Sequence, residues 1–157
     1  MKIALLMTGK TDASYLMEGI RLYEERIKRY ISYEQIVLPD LKNRSSLSIE
    51  QQKKMEAAQM IPKFQSGDFI VLLDENGKQP TSRAFAEFIE KQMISSTRRL
   101  VFVIGGPYGF APEIPELAHQ KISLSALTFS HQLVRLVFVE QLYRAFSIIR
   151  GEPYHHD

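Results

Sequence analysis

Two runs of the chain are apolar on both faces: FIVLLD over residues 69–74 and LVFVI over 100–104. A half-buried strand alternates apolar with polar residues; a strand covered on both sides does not. Each run is followed by turn residues and a helical pattern, so both read as central strands of a parallel sheet with helices on both faces. Residues 2–8 (KIALLMT), stopped by Gly9, repeat the pattern. Residues 33–38 (YEQIVL), ended by Pro39, and 121–125 (KISLS) complete five predicted strands.

Helices are predicted between them. Residues 12–30 form an amphipathic pattern with Asp12 as N-cap and Tyr15, Leu16, Ile20, Tyr23, Ile27 and Tyr30 on one side. The basic end of this segment, Arg26, Lys28 and Arg29, suits a helix C-terminus. Ser48 and Gln51 make a capping box for a helix to about Phe64. Asn76-Gly77 reads as a turn. Thr81 or Ser82 caps a helix to about Ser95, and Ser130 caps one over 131–149. The spacing leaves no room for a linker, so residues 1–157 are expected to form one α/β domain.

The last helix is apolar nearly all round, from Leu133, Val134 and Leu136 to Phe146, Ile148 and Ile149. A two-layer monomer covers only one side of such a helix, so a homodimer is expected.

Composition narrows the chemistry. There is no cysteine, which excludes disulfides, thiolate metal sites and a cysteine nucleophile, and fits a reducing cytoplasm. No run approaches the roughly 20 apolar residues that span a bilayer, and the start MKIALLMTGKTD lacks a secretory pattern. No membrane partner is expected. The net charge of +2 permits a nucleic-acid partner without demanding one. His119, His131, His155 and His156 have no metal-ligand spacing, so no metal is expected, and His131 reads as a structural hydrogen bonder. Asp74, Glu75, Glu113, Glu116, Glu140 and Glu152 show no paired spacing.

In an open parallel sheet, ligands bind beyond the carboxyl ends of the strands. Three such ends here are unusual: VLLDENGK, VIGGPYGF and LSALTF. The Gly105-Gly106-Pro107-Tyr108-Gly109 turn strips away side chains so that a ligand or another backbone can approach. It is neither the GxGxxG fingerprint nor a Walker A loop. The chain closes on Arg150, Glu152, Pro153, Tyr154, His155 and His156, titratable groups directly after a buried-looking helix. The residues alone lead to an α/β protein with a ligand site at the strand ends and a functional tail, and to no particular reaction.

Taken together, KIALLMTGK, LLDENGK, FVIGGPYG, LSALTF-SHQLVR, EQLYRAF and RGEPYHH resemble, in order and over the whole chain, the ribosomal large-subunit methyltransferase H family within the SPOUT class of RNA methyltransferases. One position departs: Ser130 stands where the family usually has proline, and a capping serine replaces a ring that pre-sets helix entry. The resemblance implies a parallel sheet with a C-terminal trefoil knot formed after residue 100, a rarity that periodicity does not reveal. It implies that S-adenosylmethionine (SAM) is held by Leu73, Gly105, Leu124, Ser125, Ala126, Leu127, Thr128 and Phe129. The implied acceptor is N3 of a pseudouridine in helix 69 of 23S rRNA, on the assembled ribosome.

For a weakly acidic N3–H, a base helps, and the tail offers His155, Tyr154 and, ranked behind them, His156; Arg135, Arg144 and Arg150 are candidates for phosphate or imide-anion contacts. The other reading of the same motifs is a non-catalytic ribosome-binding factor that retains a SAM site.

Overall fold

The computed structural model describes residues 1–156. Strands β1 (Lys2–Thr8), β2 (Ser32–Leu38), β3 (Asp68–Lys78), β4 (Arg99–Ile104) and β5 (Gln120–Ile122) form one sheet. All its pairings are parallel, in the order β2-β1-β4-β3-β5. The two runs apolar on both faces are therefore neighbours, and every residue of β4 is buried. Arg99 is tolerated there because its guanidinium makes two bonds to Asp68, at 2.9 and 2.6 Å, and reaches Glu34.

Helices cover both faces, as predicted. On one side α1 (Ser14–Ile27), α3 (Ser82–Ile94) and α5 (Leu133–Arg150) pack over Ile3, Leu5, Met7, Val71 and Phe102. On the other, α2 (Ile49–Met60) and the short α4 (Glu113–Leu117) pack over Ala4, Leu6, Leu72, Val101 and Val103. α4 lies in a Pro-containing stretch that has no helical apolar pattern. Gly19 lets α1 approach α5 closely: a Cβ there would stand 2.9 Å from Leu136 Cδ1.

α5 lies against both α1 and α3. Of its large apolar residues only Leu133 is exposed; the others are buried or half-buried within one chain. Its apolar circumference is thus explained by two flanking helices and the sheet, and by itself does not require a second chain.

Local signals held where they were local. The Ser48–Gln51 capping box is formed in both directions, and Thr81 Oγ1 accepts from Ala84 N. Ser130 Oγ accepts from Leu133 N, the first helical residue of α5. Other expectations are corrected. Asp12 caps nothing: α1 starts at Ser14 without a side-chain cap, and Asp12 instead exchanges two bonds with Gln132, at 2.9 and 3.0 Å. Tyr15 faces solvent at 70% exposure instead of joining the buried stripe.

Asn76-Gly77 does not end β3. The strand runs to Lys78 with its register broken between Leu73 and Lys78, both of which pair with Ile122. Asp74 Oδ1 accepts from Asn76 N within this excursion. Residues 123–125 lie beyond β5 and turn back on themselves, with Ser123 Oγ donating to the Ser125 carbonyl.

Candidate active site

The excursion in β3, the turn after β4 and the loop after β5 share the carboxyl end of the sheet and enclose a cleft of about 670 Å³. That volume is in the range of small-molecule sites. Leu73, Gly105, Leu124, Ser125, Leu127, Thr128 and Phe129 all line it. Ala126 belongs to the same loop but is exposed and does not face the cleft. Seven of the eight residues expected to hold a cofactor are thus brought together from three separate segments.

The loop is shaped by its own side chains. Leu127 N donates to Ser125 Oγ at 2.9 Å. Leu127 itself is 76% exposed at the cleft, an apolar group left uncovered. With Leu73, Leu124 and Phe129 it offers apolar walls, and the glycine turn opposite offers backbone N–H and C=O groups. This combination suits the nucleoside of the expected cofactor.

Of the other lining groups, Asp74 and Glu75 belong to the strand end VLLDENGK that the sequence marked, while Lys53 and His131 had not been assigned to a ligand site. Asp74 and Glu75 come from the β3 excursion, Lys53 from α2, and His131 from the residues before α5. Burial pushes the His131 imidazole below its ordinary value of 6.5, and the nearby Arg135 and Arg44 push the same way. His131 is therefore a neutral imidazole at the cleft.

The three residues expected to act in catalysis are not together. Arg135 sits in the first turn of α5 with no exposed surface. Its guanidinium donates to the Thr8 carbonyl and to Thr11 Oγ1. It has no face to offer a phosphate or a substrate anion; what it holds is the loop after β1.

Tyr154 and His155 lie at the far end of α5 and do not line the cleft. The Tyr154 ring packs on Tyr143 and under the Arg144 guanidinium. Its hydroxyl contacts Glu140 Oε1 at 3.0 Å and the Tyr23 hydroxyl at 3.2 Å. Burial raises the Tyr154 phenol above its ordinary value of 10, and the bonds to Tyr23 and Glu140 raise it further. The phenol keeps its proton. His155 Nδ1 is 3.4 Å from Arg144 Nη1. The Tyr30 hydroxyl donates to Glu152 Oε2, tying the tail to the end of α1. Through Glu152, Tyr154 and His155 the tail is clamped against the α1–α5 face.

Comparison with known proteins identifies the family of the chain. Residues 1–155 match the family described as predicted SPOUT methyltransferase. The chain is 51% identical to the ribosomal RNA large subunit methyltransferase H of Parabacteroides distasonis, over the full length of both chains. It is 52% identical to the protein of the same name from Christiangramia forsetii, over 99% of each. A crystal structure of a probable methyltransferase from Bordetella pertussis superposes with a TM-score of 0.54 at 12% identity, covering 92% of this chain and 95% of that one. At that identity the likeness concerns the fold alone.

Proposed function

Since the chain belongs to the ribosomal RNA large subunit methyltransferase H family of SPOUT methyltransferases, we propose that it transfers a methyl group from SAM to N3 of a pseudouridine in helix 69 of 23S rRNA. In this reading it works in the cytoplasm as a homodimer, on the assembled ribosome and without a metal, and the chain after residue 100 is threaded as a trefoil knot. The observation that carries the reading is the meeting of Leu73, Gly105 and the 124–129 loop in one nucleoside-sized cleft.

SAM supplies an already activated methyl group on a cationic sulfonium. What the chain adds is alignment and exclusion of water. Leu73, Leu124 and Leu127 provide the apolar wall against the adenine, and the Gly105 backbone reads its edge. A neutral His131 spares the sulfonium a like charge. Asp74 and Glu75 supply the opposite sign to the same cleft.

The N3 proton must leave as the methyl arrives. The Tyr154 phenol holds its own proton firmly, so we assign Tyr154 to orienting or stacking on the base and His155 to accepting the proton. Because the tail lies on the α1–α5 face of its own chain, the His155 that serves a cleft comes from a second copy. Arg135 acts as a brace for the loop after β1, and Arg144 holds the tail.

The test is methyl-labelled SAM with ribosomes lacking the modification, beside free large-subunit rRNA and ribosomes without pseudouridine in helix 69. Label is expected only on pseudouridine-containing ribosomes. SAM binding with no label on any substrate would favour the non-catalytic ribosome-binding factor.

A further inference from the structure

Glu56 is a carboxylate on α2 that is 4% exposed. It points at the glycine turn of the cleft from behind. A Cβ added to Gly106 would stand 2.4 Å from Glu56 Oε1 and 2.5 Å from Oε2, so the carboxylate occupies the space a side chain at 106 would need. It accepts a hydrogen bond from the Gly106 backbone. The Arg44 guanidinium, from the loop after β2, pairs with it at 3.2 Å. Gly109 N then closes the turn on the Gly106 carbonyl at 3.1 Å. Gly105, Gly106 and Gly109 all line the cleft on the other side of this turn.

A buried carboxylate is expensive unless paired and hydrogen-bonded. Here its two partners are one cation and one backbone N–H, and that N–H belongs to the wall of the cleft. We propose that Glu56 is a positioning residue for the cofactor: tied to Arg44, its carboxylate holds the Gly105–Gly109 turn in place and so sets the affinity for SAM. The inference rests on the reading of the cleft as a SAM site, and it adds a residue that touches no ligand itself.

Protonation should act on binding and on folding in opposite directions. Burial raises Glu56 above the ordinary carboxylate value, with Asp40 adding to the rise and Arg44 and Gly106 opposing it. A raised carboxyl favours the folded state at low pH and loses that benefit as pH rises. Acidification therefore relieves the buried charge while it releases Arg44 and weakens the hold on Gly106. SAM affinity falls where Glu56 itself makes no demand on stability.

The experiment is calorimetric titration of SAM into the full chain, with thermal melts alongside, for wild type, Glu56→Gln, Glu56→Ala and Arg44→Met. Glu56→Gln keeps an oxygen for the Gly106 N–H and loses the charge. Glu56→Ala is expected to weaken SAM at least about tenfold, the loss of one charge-assisted hydrogen bond. Glu56→Gln and Arg44→Met should fall between it and wild type. Wild-type affinity should drop from neutral to mildly acid pH, and that slope should flatten in Glu56→Gln. Melting temperatures that fall while SAM affinity and its pH slope stay at wild-type values would overturn the proposal. If Glu56→Ala does not fold, Glu56→Gln and Arg44→Met decide. Wild type that binds no SAM would instead remove the reading of the cleft.

Discussion

The Arg135 guanidinium donates to the Thr8 carbonyl at 2.6 Å, joining residues 127 apart in sequence. Its second nitrogen reaches Thr11 Oγ1, and three residues upstream, just before α5, the Gln132–Asp12 pair grips the same loop. The first turn of α5 thus fastens the segment that follows β1.

Arg135→Met should lower stability by about 2 kcal/mol or more, because it leaves a buried carbonyl without its charged donor. Arg135→Lys should not restore it, since an ammonium cannot fork to both oxygens. Urea unfolding measures this. A variant of unchanged stability whose KM for ribosomes rises would return Arg135 to the RNA surface.

His155→Ala should reduce methyl transfer by about 10²-fold or more, the usual share of a positioned base. Tyr154→Phe should retain proton removal and lose only alignment, a smaller effect on kcat. SAM affinity should be unchanged in both. Full turnover in both variants with normal SAM binding would refute the assignment of the base to the tail.

Gly77→Ala should damage the cleft from a distance. A Cβ there would meet backbone atoms of Lys121 and Ile122 at 2.6–2.7 Å, so β5 must move. Since β5 leads directly into the 124–129 loop, loss of SAM binding is expected together with a lower melting temperature. Calorimetry and a thermal melt read both. An alanine variant with intact affinity would mean that the β3–β5 register is not what shapes the loop.

His131 predicts a pH effect on stability with a definite sign. Its folded-state value lies below the ordinary 6.5, so below pH 6.5 the unfolded chain takes up a proton that the folded chain resists. Wild type should lose stability as pH falls from 6.5, and His131→Gln should lose less. Above that range the two should run parallel. Denaturant melts across this window check it; parallel curves throughout would mean that neither burial nor the neighbouring Arg135 and Arg44 penalises the charged imidazole.

The sheet was legible because its signals are local: two-sided apolar runs for β3 and β4, a capping box for α2, a threonine cap for α3. The errors arose where a distant partner outcompeted a local preference. Asp12 has a good N-cap side chain, but Gln132 takes it. Asn76-Gly77 is a turn dipeptide by composition, yet Gly77 is there because the backbone of Ile122 passes too close for a side chain. The site was legible only as three odd strand ends, and resemblance joined them. Glu56 carried no signal at all, since in QQKKMEAAQ it looks like any acidic residue on a solvated helix face.

The strand order has a consequence for synthesis. β4, the most completely buried strand, lies between β1 and β3, yet it is the fourth to be made. Until residue 104 has left the exit tunnel, β1 and β3 have no common neighbour, and each presents an open apolar edge. A nascent chain that stops before β4 can pair β1 with β2 but lacks the strand that joins them to β3. Folding is delayed until the last third of the polypeptide is translated, and a truncated product would be a target for chaperones and proteases rather than a smaller working protein.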